Sequence, residues 1–241
     1  MSNIVITGAT SGIGRELAIQ LAKKGHNVGL IGRRTERLEE IAEEIGERAF
    51  YRGLDVTEFD TANVVYQGLA DEMGGMDIMI LNAGVGRDSL LPKWNSDKQT
   101  IDVNVTAFVH GAHFAFKYFR AQKKGHIVGM SSIASHLSSG RAAAYTASKH
   151  FISNYMTGLR QKANKLELDL VVTDIRPGYV ESEMTENNPN MFWVATTEKA
   201  VSQMVTAIEK KKKRAYITKR WWLIATVARL TPQFVWDRLK F

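Results

Sequence analysis

Tyr145-Thr146-Ala147-Ser148-Lys149 sets a phenol and an ammonium four residues apart. On a helix that spacing puts both side chains on one face, one turn apart. A free tyrosine, with a pKa of about 10, exchanges protons poorly near neutrality until a nearby positive charge stabilises its phenolate. Lys149 is spaced to supply that charge. Upstream of the pair, Ser132 closes a β-branched run, and open α/β sheets place ligands at the C-terminal ends of such strands. A Tyr-x3-Lys pair alone is a common coincidence, so its meaning depends on the elements that would carry it.

The first of those elements is a glycine turn. Asn3 to Thr7 reads as a strand, and Thr7-Gly8-Ala9-Thr10-Ser11-Gly12-Ile13-Gly14 follows it directly into a helical pattern. Glycines at such a bend let the backbone approach a pyrophosphate, which the free N–H groups and positive dipole end of the helix then hold. The competing reading is that the glycines serve only tight packing. At the end of the second strand an acidic residue would hold the free ribose hydroxyls of NAD. This chain has Gly32-Arg33-Arg34 there. A guanidinium pairs with a 2′-phosphate through charge-assisted bonds, so NADP(H) is expected in preference to NAD(H). Ser11 is placed to add a hydroxyl to the same phosphate. For Arg34 and Arg37 a second reading stays open, in which they only solvate the helix that follows.

Short β-branched runs alternate with helical patterns along the chain. Strands are expected at Asn3–Thr7, Asn27–Gly32, Arg48–Leu54, Asp77–Asn82, His126–Ser131, Asp169–Arg176 and Ala215–Thr218. Helices are expected at Gly12–Lys24 and Thr35–Ile45, among others. The pattern predicts an α/β fold: a Rossmann-like, doubly wound and mostly parallel sheet of seven strands with helices on both faces. One domain spanning residues 1–241 accommodates all of it. The four prolines, at 92, 177, 189 and 232, fall outside the expected strands.

Composition narrows the chemistry. The 241 residues are 44% hydrophobic and 24% charged, an ordinary globular balance. With no cysteine there is no disulfide, thiolate metal site or sulfur nucleophile, and no metal is expected. The formal charge of +7 is unevenly spread: from Lys210 onward ten Lys/Arg face Asp237 alone, which leaves the first 209 residues slightly acidic. A basic nucleic-acid-binding body is thereby excluded. No apolar run approaches the roughly 20 residues of a bilayer span, and no targeting pattern precedes the first strand. The expected location is the cytoplasm.

Asn82-Ala83-Gly84 closes the fourth strand, Asn104 lies in the next helix, and Pro177-Gly178 ends the sixth strand. With the glycine turn, Ser132 and Tyr145-x3-Lys149, these motifs in this order resemble the short-chain dehydrogenase/reductase family, in its single-domain branch. The resemblance runs from Asn3 to about Thr218. It implies an oxidoreductase that moves hydride between the nicotinamide and a carbonyl/alcohol pair; the NADP(H) expected from the arginines favours the reductive direction. Under it, Gly8, Gly12, Ile13 and Gly14 form the pyrophosphate turn and Arg33 meets the 2′-phosphate. Asp55, with Val56 beside it, meets the adenine, and Asn82, Ala83 and Gly84 flank the adenosine ribose. Ser132 polarises the substrate carbonyl, Tyr145 exchanges the proton, and Lys149 holds the nicotinamide ribose and lowers the tyrosine pKa. Asn104 orients a water that links Lys149 to solvent. Pro177, Gly178 and Val180 lie along the carboxamide, where Ser182 keeps a hydroxyl that is often threonine in the family. The resemblance also implies a homo-oligomer, dimer or tetramer.

Substrate loops are expected at Val85–Pro92, Ile133–Arg141 and Tyr179–Ala195, with Met191, Phe192 and Trp193 either an apolar lip for a hydrophobic substrate or packing of the loop onto the body. Thr196 or Thr197 with Glu198 reads as a helix start. Lys219–Phe241 is a basic, aromatic extension carrying Trp221, Trp222, Leu223, Ile224, Val227, Leu230, Phe234, Val235, Trp236 and Leu239. Such a segment suits self-packing, a subunit contact or a membrane surface. Two further readings of the whole chain stay open: a non-catalytic NADP(H) sensor and a peripheral membrane-associated reductase.

Overall fold

The computed structural model describes residues 1–186 and 191–238. Pro189 and Leu239, both weighed above, lie outside them. Among the described residues, seven strands form one parallel sheet: β1 (Asn3–Thr7), β2 (Asn27–Gly32), β3 (Ala49–Gly53), β4 (Ile78–Leu81), β5 (Lys124–Met130), β6 (Asp169–Pro177) and β7 (Arg214–Ile217). Their spatial order is β3-β2-β1-β4-β5-β6-β7. The chain winds outward from β1 in one direction and from β4 in the other. The seam between β1 and β4 is therefore the switch point where such sheets bind ligands.

The helices are α1 (Gly12–Lys23), α2 (Thr35–Ile45), α3 (Phe59–Glu72), α4 (Trp94–Ile101), α5 (Phe108–Ala121), α6 (Ala143–Lys165), α7 (Thr197–Glu209), α8 (Trp221–Leu230) and the short α9 (Gln233–Trp236). Strand alternation divides the core between them. Ile4 and Ile6 face α1, α2 and α7 through Leu17, Leu21, Leu38 and Met204. Val5, between them, faces α3, α5 and α6 through Leu69, Phe108 and Ile152. The helices press close to the sheet, so a Cβ on Gly129 of β5 would lie 2.8 Å from the Met156 sulfur. All seven expected strands form, within a residue or two at their ends. Among the described residues no helix is long and apolar enough to cross a membrane.

Candidate active site

β1 delivers the chain to the glycine turn at the switch point. Gly8 and Gly12 have φ of +69° and +51°, the left-handed region that glycine enters without steric cost. A Cβ on Gly14 would sit 2.1 Å from the Gly8 carbonyl oxygen, and one on Gly8 2.8 Å from the Ala83 Cα. The turn is thus folded tightly on itself and against Asn82-Ala83-Gly84. Asn82 fixes that contact, its Nδ2 donating to the carbonyls of Thr7 and Gly8 at 3.1 Å each. The opening turn of α1, with Ile13 in it, has no acidic residue and no side-chain cap from Ser11. Its first N–H groups have no intrahelical acceptor, so the positive helix end faces the turn ready for an anion. Ser182 closes over it, with its Cβ 3.3 Å from where a Cβ on Gly12 would stand. This cradle, which a single Cβ would fill, fits a dinucleotide pyrophosphate.

The two arginines after β2 diverge. Arg34 folds back over the turn: Nη2 donates to Thr10 Oγ1 at 2.9 Å and to Ser11 Oγ at 2.8 Å. Its Nη1 also donates to Glu183 Oε2 at 3.1 Å, while Arg37 Nη1 reaches Glu183 Oε1 at 2.5 Å. Hydrogen bonds from Arg37 and Arg34 hold the Glu183 carboxyl well below its ordinary value, at about 2. Arg33 points elsewhere, 3.7 Å from Asp55 Oδ2, on the wall of a cavity of about 310 Å³ that Asp55, Thr57 and Asp102 also line. Asp55 is itself held by Thr57, whose N and Oγ1 both donate to Oδ1. Val56 is buried beside it. Ser11 therefore lies with Arg34, not Arg33. Nothing local in the sequence marks Glu183, because the contact joins residues 149 positions apart.

Ser132, Tyr145 and Lys149 converge beyond β4, β5 and β6. Ser132 follows β5 and caps a single 3₁₀ turn at Ile133–His136, its Oγ accepting from the Ala134 N–H at 3.1 Å. That Oγ also donates to the Pro177 carbonyl at 3.3 Å. Burial pushes the Tyr145 hydroxyl pKa up, and a hydrogen bond with Ser132 opposes the shift. Lys149, one turn on in α6, is 5% exposed and stands 5.5 Å from the Tyr145 ring centre. Its ammonium donates to the Met130 carbonyl at 3.0 Å. Burial lowers its pKa to about 8, against the pull of the Asp174 charge.

Asn104 occupies a π-helical segment, Asp102–Ala107, that joins α4 to α5. Such bulges recur at functional sites because they turn one side chain out of register. Here Asn104 is fully buried and clamps Val85, accepting from its N–H and donating to its C=O at 2.8 Å each. It also donates to Ser148 Oγ at 3.0 Å. A Cβ on Gly84 would stand 3.4 Å from Asn104 Oδ1 and 3.5 Å from Lys149 Nζ, so both groups crowd that glycine. One on Gly86 would stand 3.0 Å from the Tyr145 ring, which sets the Val85–Pro92 loop against the phenol.

The C-terminal segment packs against the end of β6 at Gly178. Trp221, the first residue of α8, is 1% exposed and lies so close to Gly178 that a Cβ there would fall 1.9 Å from the indole nitrogen. Tyr179, Phe192 and Trp193 surround it at ring separations of 5.7, 5.1 and 5.7 Å. Phe192 and Trp193 thus pack as a lip around Trp221, while Met191 is half-buried beside them. The start of the expected extension is therefore part of the body. Val180 bridges Ala195 across the loop base, and Thr196 caps α7 as expected.

A buried polar network behind Ser132 was also missed. On β6, Arg176 Nε donates to Asp174 Oδ2 at 2.8 Å, with the two residues 2% and 0% exposed. Ser131 and Ser153 hydrogen-bond the same carboxylate. Arg176 Nη1 reaches His136 Nε2 at 2.6 Å and Tyr216 Oη at 3.0 Å. Burial and the Arg176 charge lower the His136 pKa to about 4. The signal was present in the sequence: opposite charges two apart on an interior strand share one face. Among the described residues, no group of three or more His, Asp or Glu could hold a metal ion.

Known proteins agree with this architecture. Residues 2–193 match the family model for short chain dehydrogenases. An uncharacterized oxidoreductase of Mycobacterium tuberculosis is 34% identical over 235 residues, which cover 94% of this chain and 91% of that protein. A short-chain dehydrogenase from Sphingobium yanoikuyae, solved with NADPH, superposes with a TM-score of 0.82 at 19% identity, covering 100% of this chain and 97% of its own. A short chain dehydrogenase/reductase from Burkholderia phymatum, solved with NAD, gives 0.85 at 19% identity, covering 93% and 92%. With the glycine turn, Ser132, Tyr145 and Lys149 all at the ends of one doubly wound sheet, the chain belongs to the short-chain dehydrogenase/reductase family of oxidoreductases.

Proposed function

We propose that the protein is an NADPH-dependent reductase of a carbonyl compound with an apolar substituent. The observation that carries this reading is the convergence of Ser132, Tyr145 and Lys149 beside the glycine turn. A nicotinamide cofactor suits the cradle of Gly8, Gly12, Ile13 and Gly14, and it supplies the hydride when bound. Arg34 and Ser11 bind the 2′-phosphate, with Arg33 at the adenine end beside Asp55 and Val56. Neighbouring structures hold either NADPH or NAD, so the phosphate preference rests on these arginines.

Tyr145 gives its proton to the oxygen of the substrate as negative charge develops there. Ser132 turns its hydroxyl proton from the Pro177 carbonyl to that oxygen as a second hydrogen bond. Lys149 keeps its charge below pH 8 and favours the phenolate left on Tyr145. Asn104 positions the Val85 backbone and, through Ser148, the first turns of α6 that carry both groups. Gly84 and Gly178 let these groups and Trp221 approach the backbone closely, Pro177 anchors Ser132, and Asn82 and Ala83 hold the glycine turn. Val180 and Ser182 hold the loop base over it. Phe192, Trp193 and Trp221 favour an apolar substrate.

The test is NADPH oxidation with a panel of aliphatic and aromatic ketones. Replacing Tyr145 by Phe is expected to cut turnover by roughly 10²- to 10⁴-fold and to leave NADPH binding, read by fluorescence, intact. Retained turnover in that variant sinks the assignment. NADPH binding with no oxidation of any carbonyl favours a cofactor-sensing protein instead.

A further inference from the structure

α8 is apolar on two opposite sides. Trp221, Ala225 and Ala228 bury one side in the body. Trp222, Leu223, Val227 and Leu230 leave the other side in solvent, 55%, 54%, 65% and 78% exposed, and Phe234 of α9 adds a fifth apolar group at 59%. A helix on a water-facing surface ordinarily carries charged residues on its outer side. Here the one charged residue of α8 is Arg229.

We propose that this outer face seats the protein on an anionic lipid bilayer. Charge selects the occupant. Lys219 and Arg220 precede the helix, Arg229 borders the apolar stripe, and Arg238 stacks on Phe234 with its guanidinium 5.9 Å from the ring. From Lys219 to Arg238 these four cations stand against one acidic residue, Asp237. Cations around a tryptophan- and leucine-bearing stripe match the headgroup and acyl boundary of an anionic membrane. A second copy matches poorly. A two-fold contact sets the same patch against itself, which would bring these cations face to face. At ten residues the helix is about 15 Å long, so it lies along the surface and does not span it.

The docking face continues into the lip of the candidate site. Arg220 donates to the Trp193 carbonyl at 2.7 Å and stacks over its ring at 5.2 Å. Phe192 and Trp193 remain 50% and 40% exposed while touching Trp221, which lies on the inner side of α8. A bilayer under α8 therefore adjoins the aromatic rim, and the substrate class becomes a carbonyl carried on an acyl or similar chain dissolved in the membrane. That last step rests on the reductase reading; the docking does not.

Full-length protein is sedimented with phosphatidylcholine vesicles containing about 30% phosphatidylserine and, in parallel, with pure phosphatidylcholine vesicles, at low and high salt. The expected result is at least about tenfold stronger partitioning onto the anionic vesicles, reduced by salt. The exposed pair Leu223→Glu/Leu230→Glu abolishes it, with melting temperature, lipid-free molecular mass and NADPH oxidation of a water-soluble ketone unchanged. Absence of wild-type binding, or equal binding by the variant, overturns the proposal. So does a fall in lipid-free mass in the variant, which would assign the face to a subunit contact. Vesicle binding needs no turnover, so it stands or falls separately from the reductase assignment. A long-chain ketone offered in vesicles then tests the substrate class.

Discussion

The carboxylate of Glu183, in the loop between β6 and α7, is gripped by Arg34 at 3.1 Å in the same hand of bonds with which Arg34 holds Thr10 and Ser11. An acidic side chain thus occupies a guanidinium aimed at the glycine turn. A 2′-phosphate bound there, as proposed, would compete with it. Both partners are substantially exposed, so each pairing is weak. Glu183→Gln is expected to tighten NADPH binding about two- to fivefold, measured by fluorescence titration, and to leave NADH binding alone. Arg34→Ala is expected to weaken NADPH by about tenfold or more with little change for NADH. Equal effects on the two cofactors would remove Arg34 from phosphate recognition.

Lys149 gives a pH signature. Its folded pKa is lowered by burial to about 8 from 10.5, so the folded state resists carrying that proton. Between pH 8 and 10.5 the unfolded chain holds a proton that the folded chain has lost, and stability rises with pH across that window. Below pH 8 both states are protonated and the burial cost is present in full, on the order of 3 kcal/mol. Lys149→Met removes the ionisation. The stability difference between variant and wild type, from urea unfolding at several pH values, should shrink or reverse as pH rises from 8 to 10.5. A difference independent of pH over that range contradicts the lowered pKa.

Trp221 is a core residue packed against Gly178, just past the end of β6. Trp221→Ala is expected to cost about 3–5 kcal/mol, as for other large-to-small changes in cores, and to raise KM for apolar ketones more than it changes NADPH affinity. Trp221→Phe keeps most of the packing and separates the two effects. An unchanged KM in the phenylalanine variant would leave the residue with packing alone.

Arg176 and Asp174 form an ion pair with both side chains sealed from water. Removing one partner strands a buried charge, and such changes cost about 3–5 kcal/mol. Arg176→Met should therefore destabilise by that amount, and adding Asp174→Asn should recover part of the loss. Denaturant unfolding of the wild type, the two single variants and the double variant measures the coupling. Additive losses would mean that the pair is not coupled.

Short-range relationships were legible in the sequence. Alternation of period two placed Ile4 and Ile6 on one side of the sheet and Val5 on the other. The Gly8-x3-Gly12-x-Gly14 turn and the Tyr145-x3-Lys149 pair are local, because backbone geometry alone fixes which neighbours along the chain share a bend or a helical face. Composition likewise marked the tail as basic and aromatic. It could not say which tryptophan faces inward. That depended on the chain leaving β7 beside Gly178, so that Trp221 packs onto Gly178 while Trp222 turns out. The same limit applies to Glu183 on Arg34 and to the crowding of Asn104 and Lys149 at Gly84. Those contacts join segments far apart in sequence, and only the packing of the finished sheet and its helices brings them within hydrogen-bonding reach.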